Sequence, residues 1–479
     1  MSGYWAMIDL LILYLAQFVV MLRALTRPNR DPAARIAWML VIFAIPGLGI
    51  LLYAFLGEVS FGRAAVKRMR TVIAGLPVQP QIVSPVALGA LPVGSRAAFA
   101  RAAAVNGFSP VSGNRMVLAP DSDAAIDGMV ADIDAARETV HVLFYIWLDD
   151  TNGGKIMDAL ARAARRGVTC RAMVDGLGSR EILRTGGWQA LEAAGVRTCS
   201  AFDTRWPTLR MMVGRIDIRN HRKIMVIDGQ VAWVGSQNCA DAAFLPKAAF
   251  GPWVDIMMRV DGPVAWQMQQ LFVADWMSHT EEDIAAVLDR PVAAHADGHP
   301  AIAFGSGPDL SQNAVPDTII QVAASALDEI VVTTPYYVPS TPVQDILRST
   351  ARRGVKVRLI LPAVNDNRFV AAASRSYYAG LLFAGVRIFE HGPGLLHSKT
   401  LTVDGRLAMI GSANLDRRSF DLNFENNMLL AGAGPLAAIR ARQLSYLGQS
   451  REVTLDEVRA WRWTRRLVHN LAATFSPVL

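Results

Sequence analysis

The first sixty positions are apolar with little periodicity. Residues 4–22 (YWAMIDLLILYLAQFVVML) carry one charge, Asp9, and residues 36–56 (IAWMLVIFAIPGLGILLYAFL) carry none. A helix crossing a hydrocarbon core of roughly 30 Å needs about 20 apolar residues, so both stretches are predicted as membrane segments within an N-terminal unit, 1–60. No Lys or Arg precedes the first run, which separates it from a cleavable signal peptide. The connector holds Arg23, Arg27, Arg30 and Arg35 against Asp31, and the flank after the second run holds Arg63, Lys67, Arg68 and Arg70 against Glu58. In a hairpin of two ordinary spans, the leading expectation, these basic flanks lie on opposite sides and the positive-inside rule divides. Pro46-Gly47-Leu48-Gly49 offers the alternative of a bend or re-entry, with both flanks facing anionic lipid on one side. Residues 61–114 read as a membrane-flanking linker.

Beyond 114 the pattern changes to strands alternating with amphipathic helices, and it occurs twice. Glu138-Thr-Val-His-Val-Leu-Phe-Tyr145 resembles Glu329-Ile-Val-Val-Thr-Thr-Pro-Tyr336; Ala164-Arg-Arg-Gly-Val168 recurs as Ala351-Arg-Arg-Gly-Val355; Ala194-Gly-Val-Arg197 recurs as Ala384-Gly-Val-Arg387. Matches kept in order, with slowly drifting spacing, predict two homologous halves. In each, a strand (140–147; 330–334) leads to a helix (153–165; 342–352) and a second apolar strand (169–174; 355–361). That alternation predicts an α/β sandwich per half: 115–278, a polar linker 279–300, then 301–432, with a helical tail over 433–479. The first half is longer by an insert, 204–220, in which Arg205, Arg210, Arg215 and Arg219 stand beside Trp206, Met211 and Met212. Lipid-headgroup contact and packing between the halves are both consistent with that mixture. In the tail, Thr454 opens a helix, Trp461 and Trp463 interleave with Arg459, Arg462, Arg465 and Arg466, and Leu467, Leu471 and Phe475 follow at helical spacing. That stretch suits either the headgroup layer or packing on the second half.

Composition narrows the partners. A formal net charge of +7 favours nucleic acid or an anionic membrane surface, and the apolar N-terminus, with the excess charge flanking it, selects the membrane over nucleic acid. Three cysteines, Cys170, Cys199 and Cys239, have no paired spacing, which excludes a disulfide framework and a cysteine zinc site.

The duplication also carries the chemistry. His221-x-Lys223-x4-Asp228-x6-Gly235-Ser236-x-Asn238 recurs as His397-x-Lys399-x4-Asp404-x6-Gly411-Ser412-x-Asn414. Residues i and i+2 of a strand face one way, so each His lies beside its Lys; Asp-Gly then makes a hairpin turn, and the returning strand delivers Ser and Asn. One imidazole can attack or accept a proton while another donates, and Lys and Asn suit the non-bridging oxygens of a phosphate. No acidic cluster suggests a metal, so no cofactor is expected. Asp228 and Asp404, around the turn from Lys, read as supports that pair locally.

The doubled pattern resembles the HKD motif of the phospholipase D superfamily over roughly 115–432. The two apolar N-terminal segments, Asn220-His-Arg-Lys-Ile-Met-Val-Ile-Asp-Gly229 and the basic tail resemble bacterial cardiolipin synthases with two such motifs. The resemblance implies one composite site between the halves, with His221, Lys223, Asp228, His397, Lys399 and Asp404 as its catalytic set. It further implies a phosphohistidine intermediate, phosphatidylglycerol as substrate, cardiolipin as product, and the bacterial inner membrane as location, with the halves on the cytoplasmic side. Either His could be the nucleophile, and another donor such as phosphatidylethanolamine, or water as acceptor, uses the same site. Lys223, Lys399, Asn238 and Asn414 would hold phosphate, with Ser236 and Ser412 in support. A carboxylate after each motif would orient a His: Glu425 in Asn423-Phe-Glu-Asn426, and Asp255 as its counterpart.

Overall fold

The computed structural model describes residues 2–27, 32–58, 62–77, 86–202, 215, 217–308 and 310–475. The first apolar run is one helix, α1 (Ser2–Thr26), long and apolar enough to cross a membrane and exposed along nearly its whole length. The second run is not one span. It forms α2 (Pro32–Ala44), breaks at Pro46-Gly47, and resumes as the short α3 (Leu48–Leu52) and a π-helical turn, Tyr53–Gly57. At 1.5 Å per residue α2 is about 20 Å long, short of the hydrocarbon core.

The break follows from proline chemistry. Pro46 has no N–H for the carbonyl four residues back, and the Gln17 amide of α1 donates to Ile42 O (2.7 Å) and Phe43 O (3.1 Å) instead. Beyond the break α3 folds back so closely that a Cβ on Gly49 would sit 2.5 Å from Val41 O. Arg23, at the end of α1, pairs through two nitrogens with Glu58, and Arg27 lies 3.5 Å from the same carboxylate. Both apolar runs therefore end together. A basic amphipathic helix, α4 (Arg63–Gly75), follows.

The body of the protein is built on one sixteen-stranded sheet, fifteen strands in a continuous order and the short Arg219–Asn220 strand paired off it. Its first half comprises β1 (Val111–Leu118), β2 (Thr139–Phe144), β3 (Thr169–Asp175), β4 (Arg197–Ala201), β5 (Lys223–Ile227), β6 (Val231–Gly235) and β7 (Met257–Asp261). The second comprises β8 (His299–Ser306), β9 (Glu329–Thr333), β10 (Lys356–Pro362), β11 (Arg387–His391), β12 (Thr400–Val403), β13 (Leu407–Gly411) and β14 (Asn423–Ala431), with β15 (Ser450–Val453) added at the edge. From the central antiparallel pair β1–β8 outward the orders are β1-β7-β6-β5-β2-β3-β4 and β8-β14-β13-β12-β9-β10-β11. The two orders correspond strand for strand, which is the duplication in three dimensions.

In each half β2–β3–β4 and β9–β10–β11 run parallel, and parallel neighbours need a crossover. Helix α5 (Thr151–Arg165) supplies one and α7 (Thr341–Arg352) the other. Helices α6 (Val264–His279) and α9 (Ala433–Gly448) follow β7 and β14 in equivalent places. Helix α8 (Arg368–Ser376) packs against the C-terminal helix α10 (Trp463–Phe475). The three cysteines are buried and form no disulfide with one another.

Most of the arginine-rich insert lies outside the described residues, including Arg205, Trp206, Arg210, Met211 and Met212. The structure places its last two arginines inside the protein. Arg215 pairs with Asp217 through two nitrogens (2.5 and 2.9 Å) and donates to Leu56 O of the N-terminal unit (2.8 Å). Arg219 donates to Ile218 O and faces the buried Asp175 at 4.0 Å. For these two, packing prevails over headgroup contact.

Candidate active site

Each motif is a hairpin whose turn is fixed by its aspartate. Asp228 and Asp404 adopt φ of 50°, followed by Gly229 and Gly405 at 69° and 63°, the left-handed pair that a two-residue hairpin turn requires. The Asp228 carboxylate accepts the amides of Arg137, Glu138 and Thr139 at 2.8–2.9 Å. Asp404 accepts those of Leu327, Asp328 and Glu329 at 2.7–2.8 Å. Both lie at the far end of the hairpin from the histidine and clamp it to the start of the neighbouring strand. The motif glycine before each serine is also set by space: a Cβ at Gly235 would lie 2.1 Å from Ile256 O, and one at Gly411 2.4 Å from Asn427 Oδ1.

The residues before the histidines cross between halves. Arg219-Asn220 pairs in parallel with Asn423-Phe424, and Leu395-Leu396 pairs with Trp253-Val254. His221 N donates to Phe424 O and His397 N to Val254 O, both at 2.9 Å. This exchange places each histidine against a carboxylate of the opposite half. His221 Nδ1 is 2.9 Å from Glu425 Oε2, and His397 Nδ1 is 2.6 Å from Asp255 Oδ1. The serines complete each triplet within their own half: Ser236 donates to Asp255 (2.5 Å) and Ser412 to Glu425.

Lys223 Nζ donates to His221 O (2.6 Å) and Lys399 Nζ to His397 O (2.7 Å), leaving further protons on each ammonium for a ligand. Asn238 accepts from Ile146 N through Oδ1 (3.2 Å) while its Nδ2 is buried without a partner. Asn414 Oδ1 is likewise buried and unpartnered. Orphaned amide atoms at equivalent places in a repeated site mark where a ligand's polar atoms belong.

The two histidines, lysines, asparagines and serines, with Asp255 and Glu425, are all within a tenth of full burial, and burial governs the charges. Desolvation pushes His221 down to about 4, opposed by Glu425 and reinforced by Lys223 and Lys399. His397 falls for the same reason, opposed by Asp255. Burial also lowers Lys223 to about 7 and Lys399 to about 8. Burial pushes Asp255 up, but His397, Lys399 and Ser236 outweigh it and hold the carboxyl at about 2. Glu425 is held down in the same way by His221, Lys223 and Ser412. A neutral imidazole beside an anionic carboxylate donates through Nδ1 and leaves the lone pair on Nε2. Each histidine feels the other motif's lysine, so the motifs share one site.

Sequence reasoning did not single out several supports. The Tyr145 ring lies 4.8 Å from the His221 ring and under the Lys223 ammonium (5.3 Å), and Trp253 lies 4.6 Å from His397. Tyr145 closes the first repeated segment and Trp253 stands two residues before Asp255, which were the available signals. Asp275 of α6 binds Asn220 and Arg222 on either side of His221 (2.9 and 2.8 Å). Tyr446 of the equivalent α9 bonds Ser398 beside His397 (2.8 Å). Asn426 grips both backbone groups of Lys223 across the seam (2.9 and 3.2 Å).

Two imidazoles, two ammonium groups and two amides lie at the seam of duplicated α/β halves, the arrangement expected of a phospholipase D-type site. Residues 129–276 and 319–444 match the family described as cardiolipin synthase, PLD-like domain, and residues 11–58 match a phospholipase D-nuclease N-terminal family. The chain belongs to the cardiolipin synthase family of phospholipase D-like enzymes. It is 33% identical over 459 residues to cardiolipin synthase A of Proteus mirabilis, covering 94% of each chain. It is 34% identical over 499 residues to that of Escherichia fergusonii, covering 100% of this chain and 97% of the relative. The phosphatidylserine synthase of Haemophilus influenzae superposes with a TM-score of 0.56 at 14% identity, covering 80% of this chain and 97% of that one, a likeness of fold.

Proposed function

We propose that this chain transfers a phosphatidyl group from one phosphatidylglycerol to another, giving cardiolipin and glycerol. The observation that carries the reading is the crossed pair of histidine–carboxylate contacts, which holds each motif's histidine and lysine at the seam between the halves. Nε2 of one histidine attacks phosphorus, forming an N–P bond as the bond to glycerol oxygen breaks, and the other histidine, protonated at Nε2 when the phosphodiester anion binds, gives glycerol that proton. The second histidine then takes the proton of the acceptor lipid's hydroxyl; the new O–P bond forms and the N–P bond breaks. The lysines and the Asn238 and Asn414 amides hold the non-bridging oxygens throughout. The family relationship, the apolar N-terminal unit and the Arg215–Leu56 contact that joins that unit to the site support lipid substrates at a bacterial inner membrane. Clustered basic flanks support a cytoplasmic position for the halves.

Purified full-length protein given labelled phosphatidylglycerol should yield cardiolipin and glycerol together. Phosphatidic acid as sole product would replace the synthase reading with hydrolysis. His221→Ala and His397→Ala should each stop turnover, and the one that also prevents trapping of a phosphoenzyme is the nucleophile.

A further inference from the structure

A cleft of about 570 Å³ opens where the end of α1 meets α4, walled by Arg23, Arg27, Glu58, Arg63, Lys67 and Arg70. Five cations face one carboxylate, and that carboxylate is already engaged by Arg23 and Arg27. Arg63, Lys67 and Arg70 project from successive turns of one exposed face of α4. Like charges at that spacing repel, and Glu58 is the carboxylate that lines the cleft among the described residues. Its depth is fixed by the chain: Arg23 directly follows the apolar run of α1, and Glu58 follows the apolar run of α3 and the π turn. The cleft therefore opens at the level of lipid headgroups.

The back of α4 is anchored separately. Arg68 binds Glu281 (2.6 Å), Met277 O (3.1 Å) and Thr280 O at the end of α6, which leaves Arg63 and Lys67 on the exposed side of α4 that meets α1.

We propose that this cleft binds the phosphate headgroup of an anionic phospholipid that is not consumed by the reaction. The inference goes beyond the proposed transferase activity, since it concerns residues outside the histidine site and requires only that α1 lies in a bilayer. It differs from diffuse attraction between juxtamembrane cations and a charged surface in requiring one saturable site.

The test uses full-length protein with His397→Ala, so that no lipid is turned over, in nanodiscs of phosphatidylcholine doped with isotope-labelled phosphatidylserine, then extracted into mild detergent and read by native mass spectrometry. One phosphatidylserine per chain should be retained, saturating with dose. The triple variant R63Q/K67Q/R70Q should lower its retention by roughly tenfold or more, whereas R462Q/R466Q on α10, of equal charge type, should not. The triple lysine-and-arginine swap R63K/K67R/R70K should keep the lipid, which guards against misfolding of the neutral variant. Unsaturable association, equal loss in both neutral variants, or displacement of the lipid by inorganic phosphate at equal concentration would overturn the proposal. Failure of cardiolipin formation would leave this readout intact, so the two readings fail separately.

Discussion

Each motif imidazole owes its orientation to a carboxylate on the other half of the chain, so its hydrogen bond doubles as a test of assembly. Glu425→Gln and Asp255→Asn keep the volume but remove the anion that fixes the tautomer. Each should lower kcat by roughly 100- to 10,000-fold, the usual worth of a positioned acid–base group, while binding of the lipid changes little; a loss confined to KM would assign these carboxylates to substrate binding instead. The lysines set a pH limit. An ammonium holds phosphate only while protonated, and burial brings Lys223 to about 7 and Lys399 to about 8. Their charge is present below those values and lost as pH rises through them. The kcat/KM profile should therefore fall through this range, and the limb for kcat should lie higher, because a bound phosphodiester anion favours the charged form. An alkaline limb in kcat/KM near the ordinary lysine value of about 10.4 would refute it. The turn aspartates belong to a different class. Asp404→Ala strands three backbone amides and should cost about 1–3 kcal/mol of stability, read from thermal unfolding in detergent, with a smaller effect on kcat than His397→Ala.

At the scale of elements, the C-terminal helix shows two faces. His469 and Ala472 are buried, with Ala472 packed against Val338 and Ala373 of the second half. Trp463, Leu467, Val468 and Leu471 form an apolar stripe around half-exposed or more, and the neighbouring Arg462, Arg465 and Arg466 are exposed. The sequence offered membrane contact or packing as alternatives; opposite faces of one helix accommodate both. A tryptophan-bearing stripe flanked by arginines suits the headgroup boundary of an anionic bilayer. A nitroxide on Leu467→Cys, the native cysteines being buried, should be more accessible to oxygen than to a water-soluble nickel chelate in proteoliposomes; the reverse would leave α10 as packing alone. What was legible beforehand divides along a physical line. Strands, crossover helices and the two hairpins follow from local periodicity and turn residues, so Lys223–Ile227, Asp228-Gly229 and their copies are readable from spacing. The exchange of Arg219-Asn220 and Leu395-Leu396 between halves is a contact across more than a hundred residues, as is that of Asn426 with Lys223, while Asp275 reaches the first motif from more than fifty residues away. No local pattern encodes them. Glu425 and Asp255 were reachable only through resemblance to the family, and which histidine each would serve was not.

For the whole molecule, the decisive feature is how the N-terminal unit meets the membrane. Two straight spans would leave residues 23–27 and residue 58 on opposite sides, about 30 Å of hydrocarbon apart. Here Arg23 and Glu58 are in hydrogen-bond contact, which no arrangement of two full spans permits. Helix α2 is too short to cross, its chain reverses at Pro46-Gly47, and the carbonyls freed there are capped by Gln17 from within α1. A capped break is the form in which non-helical backbone is tolerated at membrane depth. One span followed by a re-entrant segment would also remove the conflict in charge, because the connector and the α4 flank would then face the same leaflet. Leu56 lies beside Arg215, and in that arrangement the contact would set the halves against that same face. In sealed vesicles, a membrane-impermeant thiol reagent should therefore label Thr26→Cys and Ala65→Cys from the same side, with Gly3→Cys labelled from the other. Labelling of positions 26 and 65 from opposite sides would restore two full spans and separate Arg23 from Glu58. Gln17→Leu should loosen the turn, since it strands two carbonyls in hydrocarbon, and the labelling experiment should then report a mixed population for position 65.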